Sequence, residues 1–481
     1  MRFLALNPSS VATKNVVRDV LYGCWCKGKR IGGGTVPPFG LLLVATVLKK
    51  AGLDVAFVDA MGERIPMSNV CARAQEFDVV VASTSTMTVT EDAAVLRSLK
   101  EANPRLRTVL FGSHPTFMPE ATLAKDGVDM IVRGEPEFAV RDLALALERG
   151  EDWRSALGIG YRDNGETVIN PDYPLIEDLD DLPFLDVALL PRGIDYFNPI
   201  VKRMPYMTIT TSRGCPGVCS FCTAPFFYGS ALRFRSIDNV IAEIKFLKAK
   251  GYREIYFRDE TFTFKPSRTA EFCDRAIEEN LGISWICNAR VNTLRPEVLA
   301  KMKRAGCHLI KFGVESGVQS VLDRSRKGIK VDQTRRVFRW TKEAGIDTHA
   351  HVMLGMPGES PDTIDETIRF ILEIEPTTVT FGICTPYPGT PLFREVASRH
   401  PEIGDGSNSD LANLHVMALY NEHYTTAPQP VLEKSVRRAY RRFYMRPGYL
   451  LRALGRLRSL DDVKRCLIAG AQVMDFAVRG E

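Results

Sequence analysis

Cys215, Cys219 and Cys222 stand in the run Gly214-Cys215-Pro216-Gly217-Val218-Cys219-Ser220-Phe221-Cys222, a Cys-x3-Cys-x2-Cys spacing. Three thiolates so spaced can hold three corners of a cubane iron–sulfur cluster and leave the fourth iron open. A structural cluster calls for a fourth cysteine, and a structural zinc site for four closed ligands, so the open corner points to chemistry at the metal. The plain alternative is three core cysteines or a disulfide pair. Gly214, Pro216 and Gly217 weigh against it, because they make the segment a turn-rich loop directly after a strand-like stretch at 206–210.

The elements that must carry this loop read as α/β. The chain has 481 residues, 45% of them hydrophobic, which suits two or three domains with sizeable cores. Strand-like runs at 3–6, 55–59, 79–83, 108–111 and 130–132 alternate with helix-length segments, the pattern of a doubly wound parallel sheet over 1–150. Such a sheet binds ligands at the carboxyl ends of its strands, where loops bearing Ser9, Ser83, Thr84, Gly112 and His114 should converge. Residues 151–204 read as a hairpin around Asn164-Gly165 followed by an acidic, proline-bearing linker. From 205 to 395 six more strands are expected, at 207–211, 254–258, 284–288, 309–314, 348–354 and 379–384, giving a partial (βα)6 barrel with its chemistry at the strand ends.

Eleven cysteines without disulfide-framework spacing fit a reducing compartment. Cys71, Cys273, Cys287, Cys307, Cys384 and Cys466 are expected to be buried small hydrophobes. Met1-Arg2 leads straight into a strand-like run rather than a signal peptide, and no stretch of about 18 apolar residues is present, so a cytoplasmic protein is expected. A net charge of +5 is too mild and dispersed to argue for nucleic acid.

The cysteine loop resembles that of the radical S-adenosylmethionine (SAM) family, and the likeness extends over roughly residues 1–395. It implies a [4Fe-4S] cluster on Cys215, Cys219 and Cys222 with SAM chelating the open iron, reductive cleavage to a 5'-deoxyadenosyl radical, and Phe221 shielding the cluster. Further motif matches imply that Asp259 and Glu260 hold the amino group of SAM and that Arg290 meets its carboxylate or the substrate. Glu315 and Ser316 match a ribose-binding segment, Gly355 opens the Gly-x-Pro-Gly-Glu-Ser turn beside the adenine, and Pro388 belongs to the segment closing the sixth strand.

Residues 1–150 resemble the cobalamin-binding domain that precedes the barrel in one class of this family. The resemblance rests on Gly112-Ser113-His114-Pro115-Thr116 with Pro119-Glu120, and on Arg133-Gly134-Glu135-Pro136-Glu137. One departure is that Asn7-Pro8-Ser9-Ser10 stands where related domains carry Asp-x-His-x-x-Gly. No histidine is therefore expected on cobalt, and His114 is assigned a hydrogen-bonding or turn role.

Residues 396–481 read as a helical, basic region. Lys434, Arg437, Arg438, Arg441, Arg442, Arg446, Arg452, Arg456 and Arg458 interleave with Tyr440, Phe443, Tyr444 and Tyr449. Such a surface suits either a cap packed on the barrel or peripheral contact with an anionic membrane. The resemblance implies a cobalamin-dependent methyltransferase acting on an unactivated carbon of a small-molecule or lipid-like substrate, with an electron donor such as flavodoxin or ferredoxin. A radical cyclase of the porphyrin-ring type, or a non-catalytic iron–sulfur and corrinoid-binding protein, is the alternative.

Overall fold

A computed structural model of the chain describes all residues except 19–24, 27, 409, 414, 458 and 481, and leaves aside the side chains of Trp25, Cys26, Leu411 and Leu460. Arg458 of the basic region lies outside the described residues.

The N-terminal sheet has seven strands: β1 (Arg2–Asn7), β2 (Asp54–Asp59), β3 (Val79–Thr84), β4 (Arg107–Gly112), β5 (Met130–Val132), β6 (Ile159–Asp163) and β7 (Glu166–Ile169), in the order β2-β1-β3-β4-β5-β6-β7. The first five are parallel. Their runs are apolar at nearly every position because helices cover both faces. Phe3 and Ala5 pack with helices α1 (Phe39–Lys50) and α2 (Pro136–Arg149) on one side, while Leu4 and Leu6 pack on the other. The order reverses between β1 and β3, which places the switch-point crevice beside Asn7 and Ser83. The hairpin expected in the linker is part of this sheet, since β6 pairs antiparallel with β5 (Met130 opposite Tyr161). Its turn uses Asn164 and Gly165, both at positive φ, as a tight hairpin requires.

The second sheet is the expected set of six parallel strands in chain order: β8 (Tyr206–Ile209), β9 (Glu254–Phe257), β10 (Ser284–Ala289), β11 (Cys307–Glu315), β12 (Asp347–Leu354) and β13 (Thr378–Ile383). β8 and β13 do not pair, so the barrel stays open on one side. On β9, Ile255, Tyr256 and Phe257 are all buried in the core, and Tyr256 also lines the lumen.

Beyond the barrel, helix α3 (Gln429–Tyr444) buries Leu432, Val436, Ala439, Tyr440 and Phe443 in the barrel core. The Tyr444 hydroxyl accepts from the Val379 amide (2.9 Å) and donates to the Val379 carbonyl (2.7 Å), satisfying an edge of β13. The region is thus a cap, with Lys434, Arg437, Arg438, Arg441 and Arg442 on its outer side. Helices α4 (Pro447–Leu454) and α5 (Leu460–Arg479) follow, exposing Leu450, Leu451, Leu454 and Leu467. Cys466 is exposed on α5 and Cys71 half-buried at the end of a short helix, so neither is the core residue expected; Cys273, Cys287, Cys307 and Cys384 are. No described helix is long and apolar enough to cross a membrane.

Candidate functional site

The loop after β8 is held from below by Asp259. Its carboxylate accepts from the Thr211 amide (2.6 Å), the Thr211 hydroxyl (2.6 Å) and the Ser212 hydroxyl (2.7 Å). Gly214 follows at φ +92°, where an added Cβ would stand 2.0 Å from the Ala231 carbonyl oxygen, so only glycine fits. The Cys215 amide donates to Gly229 O (3.1 Å) and the Ser220 amide to Ser325 O (3.0 Å), fixing both ends of the cysteine run. Cys215, Cys219 and Cys222 all line one cavity of about 350 Å³ at the carboxyl ends of the barrel strands.

The donor set fits a cluster better than a single ion. Among the described residues the three sulfurs do not form a group with all atoms within 4.8 Å of one another, as a lone zinc with bonds of about 2.3 Å would require. The corners of a cubane stand further apart. Desolvation raises the Cys215 thiol and pushes the Cys222 thiol up to about 12, so metal binding must drive their deprotonation.

Four of the other expected residues reach this cavity: Phe221, Glu260, Arg290 and Glu315. Desolvation, with the charge of Asp259 adding to it, pushes the Glu260 carboxyl up to about 7. Arg290 Nη1 lies 3.7 Å from Cys219 Sγ, and its Nη2 donates to the Lys327 carbonyl. Glu315 sits at φ +61° and pairs with Lys327 at 2.6 Å. Strained backbone at a functional position is a recognised pattern, about 1–3 kcal/mol per residue.

Four residues do not line the cavity. Asp259 is fully buried and engaged under the cysteine loop, so it is unavailable to an ammonium group. The Ser316 hydroxyl lies 2.9 Å from Thr367 Oγ1 and accepts from the Val318 amide, so it shapes the turn after β11. Gly355, at φ +74°, is packed against Asn421 and Leu432, and Pro388 packs against Gly406. Lys327, which escaped the sequence reading, is on the cavity wall because its loop folds back under Arg290 and Glu315.

A second cavity, of about 190 Å³, lies between the two domains and is lined by Asn7, Ser83 and Gly112 on the sheet side. Gly112 has φ +129°, and a Cβ there would approach Thr84 O to 2.1 Å. The small strand ends suit a flat macrocycle. The cavity is below the roughly 300–1,000 Å³ of pockets that enclose drug-sized ligands, so seating a corrin requires the cleft to widen.

Ser9, Thr84, His114 and Glu135 do not line the cleft. Ser9 is half-buried on the loop after β1, and the Thr84 hydroxyl donates to Asp92 (2.8 Å). His114 is fully buried, with Nδ1 3.3 Å from Thr86 Oγ1 and Nε2 3.3 Å from Asp405. Asn7 donates to Asp59 (2.6 Å) and accepts from Arg18 (3.1 Å). Among the described residues, the histidines lining this cleft are His349 and His351, both from the barrel.

Glu135 is instead one member of a buried ionic network between the domains. Arg213, two residues before Cys215, meets Glu137 at 2.5 Å and Glu135 at 3.3 Å, and Arg233 meets Glu135 at 2.7 Å. Desolvation opposes ionisation of Glu135, yet the Arg233 hydrogen bonds and the Arg213 charge outweigh it and hold its carboxyl below the usual range. The two cavities share Arg258, Lys311, His351 and Thr380 on their walls, so they adjoin through the barrel lumen.

A radical SAM superfamily model matches residues 209–371, and a B12-binding domain model matches residues 32–144. An uncharacterized methyltransferase of Pyrococcus horikoshii is 32% identical over 428 residues, covering 88% of this chain and 91% of that protein. The anaerobic magnesium-protoporphyrin IX monomethyl ester cyclase of Rubrivivax gelatinosus is 32% identical over 377 residues, 76% of this chain and 67% of its own length. The structure of TsrM, a radical SAM methyltransferase from Kitasatospora setae with cobalamin and a [4Fe-4S] cluster bound, superposes with a TM-score of 0.68. That match has 18% identity and covers 91% of this chain and 96% of TsrM.

One buried acid in the barrel yields a pH prediction. Glu359 is fully buried; desolvation pushes its carboxyl up to about 8 against the amides of Gly355 (2.5 Å) and Met356 (3.2 Å), which donate to it. Its folded value exceeds the unfolded one, so the protonated acid's contribution is full below about pH 4.5 and is lost as pH rises through about 8. Glu359→Gln should remove that dependence, on the order of a few kcal/mol. Thermal melts from pH 5 to 8.5 check this: the wild-type curve should fall relative to the variant's, and parallel curves would contradict the assignment.

Proposed function

The chain belongs to the radical SAM enzymes with an N-terminal cobalamin-binding domain, and on that premise we propose that it methylates an unactivated carbon of a small-molecule or lipid-like substrate held in the barrel lumen. It is a cobalamin-dependent methyltransferase by family, and its cofactors are a [4Fe-4S] cluster, SAM and cobalamin. When bound, the cluster with SAM supplies radical chemistry, and cobalamin supplies methyl-group chemistry.

The observation that supports this reading is the adjoining of the two cavities. A substrate lying against Lys311, His351 and Thr380 has the cysteine loop on one side and the strand ends Ser83 and Gly112 on the other. In this proposal Cys215, Cys219 and Cys222 hold the cluster. Glu260 receives the SAM ammonium, as a carboxylate suits a cation, Arg290 pairs with the SAM carboxylate, and Glu315, oriented by Lys327, accepts from the ribose hydroxyls. Phe221 keeps water from the cluster, and Ser83 and Gly112 make room for the corrin. An external flavodoxin or ferredoxin delivers the electron. The exposed Leu450, Leu451 and Leu454 beside Arg452 and Arg456 support peripheral contact with an anionic membrane.

Reconstituted enzyme incubated with SAM, cobalamin, a reductant and a candidate substrate should yield both 5'-deoxyadenosine and S-adenosylhomocysteine. Changing Cys215, Cys219 and Cys222 together to Ala should abolish 5'-deoxyadenosine. Formation of 5'-deoxyadenosine alone would overturn methylation in favour of a cyclase, and full iron content in the triple variant would overturn the ligand assignment. Vesicle flotation checks the membrane contact: anionic vesicles should bind more protein than neutral ones and less at high salt, since the Debye length falls from about 10 Å at 0.1 M to about 3 Å at 1 M. Equal partitioning to both would remove that part of the proposal.

A further inference from the structure

Lys311 is a cation in the middle of the barrel lumen. It is carried by β11, is 9% exposed, and lies on the walls of both cavities. Its Nζ donates to the Tyr256 hydroxyl at 2.7 Å and stands 5.0 Å from the centre of that ring. The Tyr256 hydroxyl in turn donates to Asn288 Oδ1 (3.1 Å), so its proton is committed and its lone pair meets the ammonium. Among the described residues Lys311 forms no ion pair with a carboxylate. Of the other charged groups on these walls, Glu315 pairs with Lys327, Glu137 with Arg213 and Arg18 with Asp92, and Glu260 feels the charge of Arg258.

The neighbours do not neutralise Lys311. His349 is bracketed by Thr378 Oγ1 (2.8 Å) and Thr380 Oγ1 (3.1 Å), and its ring meets that of His351 edge-on at 4.5 Å. Desolvation first, and the charge of Lys311 second, push His349 down to about 3; desolvation and the charges nearby also hold His351 well below the usual value. The imidazoles therefore stay uncharged and offer hydrogen bonds without repelling an anion. An ammonium on the walls of both cavities, with two N–H groups beyond the Tyr256 bond, suits an anion, because charge-assisted hydrogen bonds to a carboxylate or phosphoryl oxygen are the strong ones.

We propose that Lys311, with His351 and Thr380 beside it, binds an anionic group of the substrate, a carboxylate or a phosphoryl group, inside the barrel lumen. The inference deepens the function proposed above and rests on it. It names the substrate class as an acidic small molecule and sets neutral lipids aside, since a neutral lipid would leave the ammonium unpaired.

The test uses the holoenzyme with cluster, cob(II)alamin and S-adenosylhomocysteine, which fills the SAM subsite without reacting. Methylphosphonate observed by phosphorus NMR and labelled acetate observed by carbon NMR serve as probes, broadened by the nearby paramagnetic centres. Saturable broadening of at least one probe is expected in the wild type. K311M and K311Q should weaken its binding tenfold or more, and K311R should retain it within about threefold. Preference for methylphosphonate identifies a phosphoryl substrate, preference for acetate a carboxylate, and equal binding supports the shared anion site. Iron content and S-adenosylhomocysteine affinity should be unchanged in the variants. Wild-type protein that holds the cluster and S-adenosylhomocysteine yet shows no saturable broadening overturns the proposal, as does broadening that survives in K311M and K311Q. A tenfold loss of S-adenosylhomocysteine affinity in K311M with anion binding intact would make Lys311 a SAM ligand and also overturn it. Failure of the wild type to take up the cluster or S-adenosylhomocysteine would instead strike the functional reading itself.

Discussion

The buried contact of Arg213 with Glu137 and Glu135 is the constraint on which the rest of the arrangement depends. Arg213 belongs to a two-residue ladder, Ser212–Arg213 against Arg233–Phe234, that leads into the cysteine loop. Its carboxylate partners stand at the start of α2, on the other domain. The pair is bidentate, Arg213 Nη1 donating to Glu137 Oε2 (3.1 Å) and Nη2 to Oε1 (2.5 Å), and bidentate pairing fixes orientation as well as distance. Removing one partner of such a buried pair typically costs about 3–5 kcal/mol, because a charge is left without compensation. The network therefore sets where the thiols stand relative to the strand ends of the N-terminal sheet, and the space between becomes the lumen.

Within that frame, buried polar groups divide into those that hold strands and those that face the cavity. Asp259 is consumed by three donors beneath the cysteine loop. Glu254 meets His308 (2.7 Å) and accepts from the amides of Lys202 (3.1 Å) and Arg203 (2.9 Å) at the floor of the barrel. Glu260, Arg290, Glu315 and Lys311 face the cavity instead. The same residue types serve opposite purposes, and the difference lies in how many donors or acceptors each has already met. A carboxyl pushed up to about 7, as Glu260 is by desolvation, gains most from an incoming cation.

Much of this was legible in the residues. The cysteine loop could be read because metal chemistry dictates a short local spacing, and both sheets could be read because parallel strands buried on both faces leave apolar runs. Asp259 and Glu260 read alike in the sequence, but just past the end of β9 Arg258 and Glu260 line the cavity while the Asp259 carboxylate turns to Thr211 and Ser212. Strand alternation places Lys311, Gly313 and Glu315 on one wall and turns Ser316 away. Glu135 was noticed within its motif, but its partners Arg213 and Arg233 stand far off in sequence, and no local pattern foretells a pairing across domains. Lys327 had no signal of its own, since its place depends on a loop folding back on Glu315 and Arg290. The hairpin was recognised by Asn164-Gly165, yet its membership of the first sheet is a tertiary fact.

The central claim is that the three thiols leave one iron open for SAM at the head of the lumen. Electron–nuclear double resonance on the reduced cluster, with SAM labelled with nitrogen-15 at its amino group, tests it most directly. A strong hyperfine coupling to the labelled nitrogen, lost when unlabelled SAM is substituted, is the predicted result. A reduced cluster that binds SAM tightly but shows no coupling to that nitrogen would contradict the account.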